Sequence, residues 1–279
     1  MNLYRPSVGP VGVLSSAEVR GDRGGRRFRR GVYLLPSMFT LANMFCGYAC
    51  VVYAMRGEFE TAAPFIGFAI VLDMLDGRIA RLTKSASAFG LQFDSLADVI
   101  SFGLAPAILT FNWGLSSLGR LGWAAGFIFV TAAAMRLARF NIQAATDKRY
   151  FVGMPSPAAA AVLASTVFAY PYPLARYPEA ILVLLVVIVP ALLMVSTFRV
   201  RSFKTIDLQA RRSYKVLLPF AVVLVAVATH AKITLVVLAY AYLLSAFVEL
   251  AVWRLRRRGA HGAAAGPAPH IDEADVTMS

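Results

Sequence analysis

Four aspartates, Asp73, Asp76, Asp94 and Asp98, follow the pattern D-x2-D-G-x2-A-R-x8-G-x3-D-x3-D. Gly77, Ala80, Arg81 and Gly90 fill the fixed positions between them. The residues around them are apolar enough to read as membrane helix. A charge at the centre of such a helix costs about 2.5–3.5 kcal/mol on insertion scales. Carboxylates this close together cannot all ionise unless cations neutralise them. Ligation by carboxylates without His or Cys suits hard ions such as Mg2+, Mn2+ or Ca2+. Helical periodicity puts Asp73, Gly77 and Arg81 on one face, with Asp76 and Ala80 beside them. Asp94 and Asp98 share a face of the next helix. Two such helices, side by side, could bring four carboxylates to one pocket. The glycines let a bulky ligand approach the backbone. Arg81 is a permanent cation whose paired donors suit a phosphate. Together these residues describe a phosphoryl-transfer site, where metal polarises phosphoryl oxygens and steadies the leaving group.

The rest of the chain must hold that pocket in a membrane. Of 279 residues, 58% are hydrophobic and only 15% charged, with mean hydropathy +0.64. Soluble domains carry about 25% charged residues. The expected class is therefore an all-α, polytopic integral membrane protein. Eight apolar segments approach or reach spanning length: 34–55, 61–82, 92–115, 119–141, 155–173, 178–197, 215–231 and 232–253. The last two meet at His230, Ala231 and Lys232 and should form a tight hairpin. Pro64, Pro106, Pro190 and Pro219 fall in or near these spans, where neighbouring groups can re-satisfy the freed backbone. The division expected is a flexible basic arm over 1–30, a six-helix catalytic core over 31–200, a loop and helical hairpin over 201–255, and a disordered tail over 256–279. The arm lacks the apolar core of a cleaved signal peptide.

Net charge is +13. The basic residues sit in alternate connections: the arm, Arg81 and Lys84, Lys148 and Arg149, the run from Arg199 to Lys215, and Arg254 to Arg258. The positive-inside rule then places both termini and the aspartates on the cytoplasmic side. Nothing resembles a nucleic-acid-binding motif. Cys46 and Cys50 lie on adjacent turns of one helix and read as small packing residues rather than a disulfide. His230, His261 and His270 are too scattered for a zinc site.

The full motif resembles the hallmark of the CDP-alcohol phosphotransferase (phosphatidyltransferase) family, and every fixed position is met. The resemblance implies a six-helix core and transfer of a phosphatidyl or related group from a CDP-linked donor to an alcohol, with release of CMP. Carried over, Asp73, Asp76 and Asp94 are metal ligands. Asp98 completes the metal site and acts as general base. Gly77, Ala80, Arg81 and Gly90 shape the CDP site. Two divalent ions, Mg2+ or Mn2+, and a homodimer are implied. The flanks resemble the bacterial phosphatidylserine synthase branch: Pro36 to Asn43, Asp98 to Ala107, Arg136 to Asn141, and Phe151 to Ala158, with Met154 where Leu is expected. They imply CDP-diacylglycerol and L-serine as substrates, in a bacterial cytoplasmic membrane whose lipids surround the protein.

Thr40 and Asn43 are candidates to touch nucleotide or phosphates. Arg136, Arg139 and Asn141 could hold the serine carboxylate by charge-assisted hydrogen bonds. Ser156 reads as a helix-start residue. Glycerol 3-phosphate, inositol phosphate or choline as acceptor remains open within the family. A divalent-cation transporter is the alternative from another class. It would need carboxylates at mid-membrane along several helices, whereas these cluster near one face.

Overall fold

Long apolar runs can satisfy their backbone groups in a bilayer only within the segment itself, so they become helices. The computed structural model describes residues 24–83, 88–146, 151–196, 199–200 and 214–263. In chain order these give α1 (Gly24–Met55), α2 (Phe59–Thr83), α3 (Ala88–Asp98), a π-helical turn (Val99–Leu104), α4 (Ala105–Trp113) and a 3-10 turn (Leu115–Leu118). They continue with α5 (Arg120–Thr146), β1 (Phe151–Val152), α6 (Ser156–Ala169), α7 (Tyr177–Val195), β2 (Arg199–Val200) and α8 (Tyr214–Ala263). The architecture is all-α and polytopic, as expected.

Among the described residues, five stretches are long and apolar enough to cross a membrane: Met38–Met55, Phe89–Trp113, Arg120–Ile142, Tyr177–Val195 and Ala221–Val248. The count falls below eight for physical reasons. Helix α2 is long, but it carries Asp73, Asp76, Arg78 and Arg81. Helix α6 has 14 residues, not the whole of 155–173. Pro171 and Pro173 follow it, and proline cannot continue a helix or let its predecessor stay helical. The stretch Ala221–Val248 takes in most of both of the last expected segments.

Those two segments are separated at His230, whose backbone leaves the helical region (φ −138, ψ 60). The Thr234 hydroxyl donates to the Ala226 carbonyl at 2.9 Å. Eight residues of straight helix would hold them about 12 Å apart along the axis, so the chain bends sharply here. Lys232, just past the bend, pairs with Glu60 at the start of α2, 2.6 Å away. Tyr240 then hydrogen-bonds Thr166 of α6 at 3.0 Å.

Two helix boundaries differ from the expected ones. Helix α1 starts at Gly24, inside the expected arm, and α8 runs to Ala263, inside the expected tail. Arginine and alanine are good helix formers, and no proline intervenes before Pro267. The remainder of the arm and tail, Lys84, Lys148, Arg149 and residues 201–213 lie outside the described residues.

Helix α1 packs along α2 and α4. Helix α6 packs on α2, α7 and α8, and α5 on α7. Small side chains line these contacts, among them Ala62, Ala63, Ala97, Ala105, Ala132, Ala133, Ala159 and Ala160, all buried. They let backbones approach closely where lipid provides no hydrophobic drive. Large apolar side chains such as Phe45, Phe68, Phe127, Leu182 and Leu224 point outward. The antiparallel pair β1–β2, with Phe151 opposite Val200 and Val152 opposite Arg199, was not expected. It clips the connection after α5 to the one after α7. Gly153 follows at φ 78, where a Cβ would stand 2.7 Å from the Met194 carbonyl oxygen. Buried Met154 donates its N–H to the Leu193 carbonyl at 3.1 Å.

Candidate active site

The aspartates sit where three helices converge. Helix α2 brings Asp73 and Asp76 from its second half, α3 brings Asp94 and Asp98, and α1 lies across both. One carboxylate oxygen each from Asp73, Asp94 and Asp98 falls within 4.8 Å of the others. Asp76 stands beside this trio, near enough for its charge to act on Asp73 and Asp94. One of its oxygens accepts from the Thr40 hydroxyl at 2.5 Å. The structure therefore gathers three of the four carboxylates into one cluster and keeps the fourth at its edge.

The π turn directly after Asp98 belongs to the same local solution. The Ala105 N–H donates five residues back, to the Ile100 carbonyl. Pro106 follows, with no N–H to give and a ring that would strike a carbonyl four residues earlier. Widening the turn takes that strain just beyond the last aspartate, and such turns recur at functional sites.

The residues fit a divalent cation on their own terms. Asp76 Oδ1 and Asp94 Oδ1 are buried with no hydrogen-bond partner. A buried carboxylate oxygen without a partner is costly. Three further carboxylates at short range make it more so, and hard oxygen donors are what Mg2+ and Mn2+ take.

Helix α1 supplies the partners inside the protein. Thr40 holds Asp76, and Asn43 Nδ2 donates to Asp98 Oδ1 at 3.2 Å. Both were candidates to touch the nucleotide or phosphates or else to bond between helices, and each bonds a carboxylate of a neighbouring helix. Gly77 is exposed one turn past Asp73, and Gly90 is half-buried one turn before Asp94. The side chains of Ala80 and Arg81 lie outside the described residues.

The three expected acceptor residues separate. Arg136 Nη1 donates to Ser156 Oγ at 3.2 Å, and its Nε is buried without a partner. Its charge acts on Asp98. Arg139 Nη1 instead reaches the Val195 carbonyl at 3.2 Å, tying α5 to the end of α7. Asn141 Nδ2 donates to Ser95 Oγ at 2.9 Å, tying α5 to α3 beside Asp94. Ser156 opens α6, as expected, and is also the partner of Arg136. Ser95, Ser101 and Gly47 were not singled out from sequence. Ser101 lies three residues past Asp98, but only the fold shows what it meets.

Residues 33–198 match the family described as CDP-alcohol phosphatidyltransferase. That is more than half of the chain, and it contains every described residue of the cluster. The chain belongs to this family. A CDP-diacylglycerol–serine O-phosphatidyltransferase of Helicobacter pylori is 44% identical over 133 residues, 47% of this chain and 56% of that protein. Its counterpart in a second strain is 40% identical over 177 residues, 63% of this chain and 75% of the relative. A protein of that name from Mycobacterium leprae is 39% identical over 142 residues, 48% of this chain and 47% of the relative. The chain thus spans from about half to three quarters of the length of these relatives.

Proposed function

We propose that this chain transfers the phosphatidyl group of CDP-diacylglycerol to the hydroxyl of L-serine, giving phosphatidylserine and CMP. The observation that carries this reading is the placement of Arg136. Its side chain is part-buried, has an unused donor in Nε, and its charge acts on Asp98, the residue the family resemblance makes the base. The names of the relatives agree with serine as acceptor.

In this reading Asp73, Asp76, Asp94 and Asp98 hold the divalent cations, two Mg2+ or Mn2+. Bound there, they would neutralise the diphosphate and the leaving CMP. Asp98 takes the proton from the serine hydroxyl. The serine oxygen forms its bond to the phosphorus bearing diacylglycerol, and the bond from that phosphorus to the bridging oxygen breaks. The bridging oxygen leaves with CMP. Arg136, with Ser156 holding one of its arms, pairs with the serine carboxylate and keeps it off the carboxylate cluster. The exposed position of Gly77 leaves room for the diphosphate, and Arg81 is the motif's candidate cation for it. Holding donor and acceptor in register supplies a large part of the rate. The alternating loop charge supports a site on the cytoplasmic side, and the family resemblance supports a bacterial inner membrane. The homodimer rests on the family resemblance.

Asp98→Asn tests the chemistry directly. It preserves size and removes the base, and general-base catalysis contributes about 10²–10⁴-fold. Purified Asp98→Asn should elute and melt like the parent while CMP release falls by at least about 100-fold. Parent-like turnover would remove Asp98 from the role of base.

A further inference from the structure

Asn43 is 0% exposed. Its Nδ2 donor goes to Asp98, while its Oδ1 is buried without a partner. Its backbone is committed as well, since Ser101 Oγ donates to the Asn43 carbonyl at 2.9 Å. Ser101 is also 0% exposed and sits in the π turn that follows Asp98. One turn along α1 from Asn43 is Gly47. A Cβ at Gly47 would stand 2.7 Å from Ser101 Oγ and 2.8 Å from Ser101 Cα. No real side chain tolerates the second contact, because backbone cannot swing aside. Glycine is therefore what lets α1 come close enough for Ser101 to reach the Asn43 carbonyl. Thr40, three residues before Asn43 on the same side of α1, makes the matching bond to Asp76 on α2.

We infer that Asn43 is a positioning residue for Asp98, and that Gly47 and Ser101 form the lock that holds Asn43 in place. The inference rests on the proposed role of Asp98. A carboxylate has two oxygens and two rotatable bonds. The Asn43 amide engages Oδ1 and so fixes which oxygen faces the acceptor hydroxyl. Donation from an amide also satisfies that oxygen without adding charge to a crowded anionic site. Ser101 removes the freedom of the α1 backbone to slide, and Gly47 sets the distance. Asn43 touches no reacting atom in this scheme. It acts through Asp98, as outer partners do around ligating carboxylates, where their loss costs about 10- to 100-fold in affinity or activity.

The test is a double-mutant cycle read in kcat, in KM for CDP-diacylglycerol, and in affinity for CMP and for Mn2+. Asn43→Ala should lower kcat by about 10- to 100-fold and leave KM and CMP affinity near those of the parent. Ser101→Ala should lower kcat less, again with KM unmoved, and should add nothing on top of Asn43→Ala. Ser101→Ala leaves no overpacked contact, so it decides the matter if Asn43→Ala does not fold. In an Asp98→Asn background neither substitution should have a further effect. A loss of CMP affinity that matches the loss of kcat would overturn the inference and make Asn43 a nucleotide contact. Unchanged kcat in both single variants, or full additivity between them, would overturn it as well. Full activity of Asp98→Asn itself would instead refute the reading of the base, and is distinguished by that single variant.

Discussion

At the scale of the residue, the proposed function assigns Arg136 the acceptor carboxylate. Sequence offered three candidates for the acceptor carboxylate, and the fold spends two of them elsewhere. Arg139 bonds a carbonyl of α7, and Asn141 bonds Ser95. Arg136 keeps a buried Nε with no partner. Hydrogen bonds to charged groups contribute about 1.5–3 kcal/mol, and lysine cannot reproduce a planar, forked pair of donors. Arg136→Lys should therefore raise KM for serine by about 10- to 100-fold while KM for CDP-diacylglycerol moves little. Equal effects on both substrates would give Arg136 a structural role instead. The motif itself was legible because eight fixed positions in one chain specify a chemistry. The partners of its aspartates were not. Thr40 and Asn43 look like any polar pair in an apolar helix, and only packing of α1 over α2 and α3 turns them toward Asp76 and Asp98.

At the scale of the element, the helices followed from hydrophobic run length, and the details followed from glycine and proline. Pro171 ended α6 early, and Pro106 accompanied a π turn that no periodicity announces. The β1–β2 clip was illegible because two residues of strand leave no pattern to read. Its neighbour Gly153 carries a sharper consequence. Its positive φ is strained for any other residue, by about 1–3 kcal/mol, and its missing Cβ makes room for the Met194 carbonyl. Gly153→Ala should lower the apparent melting midpoint in detergent and loosen the approach of α6 to the end of α7. Serine KM should rise with it, because Ser156 lies three residues on. An unchanged midpoint would mean that the clip does not hold these ends together.

At the scale of the whole molecule, the helices place the site at one end of the bundle and an unremarkable ion pair at the other. Lys232 and Glu60 are both substantially exposed, and such pairs contribute about 0–1 kcal/mol. Lys232→Ala should therefore leave turnover unchanged and shift the melting midpoint slightly at most. A collapse of activity would show that the hairpin of α8 bears on the site from a distance. The bend at His230 was legible in the short connection there. The exact ends of the chain's helices were not, because arginine-rich and alanine-rich flanks read as polar tails while favouring helix.

Metal dependence belongs to this scale too, since α2 and α3 must come together to gather the carboxylates. Chelation with EDTA should abolish CMP release, and added Mn2+ or Mg2+ should restore it. Activity that survives thorough chelation would contradict the assignment of the cluster.

The most direct measurement is product formation by the purified protein given CDP-diacylglycerol and Mg2+ or Mn2+. L-serine, glycerol 3-phosphate, inositol phosphate and choline would be supplied in separate reactions. The account predicts CMP release with phosphatidylserine formed in the serine reaction alone. CMP release with a different acceptor would contradict the reading of Arg136. No CMP in any reaction, from folded and metal-loaded protein, would contradict the proposed transfer itself.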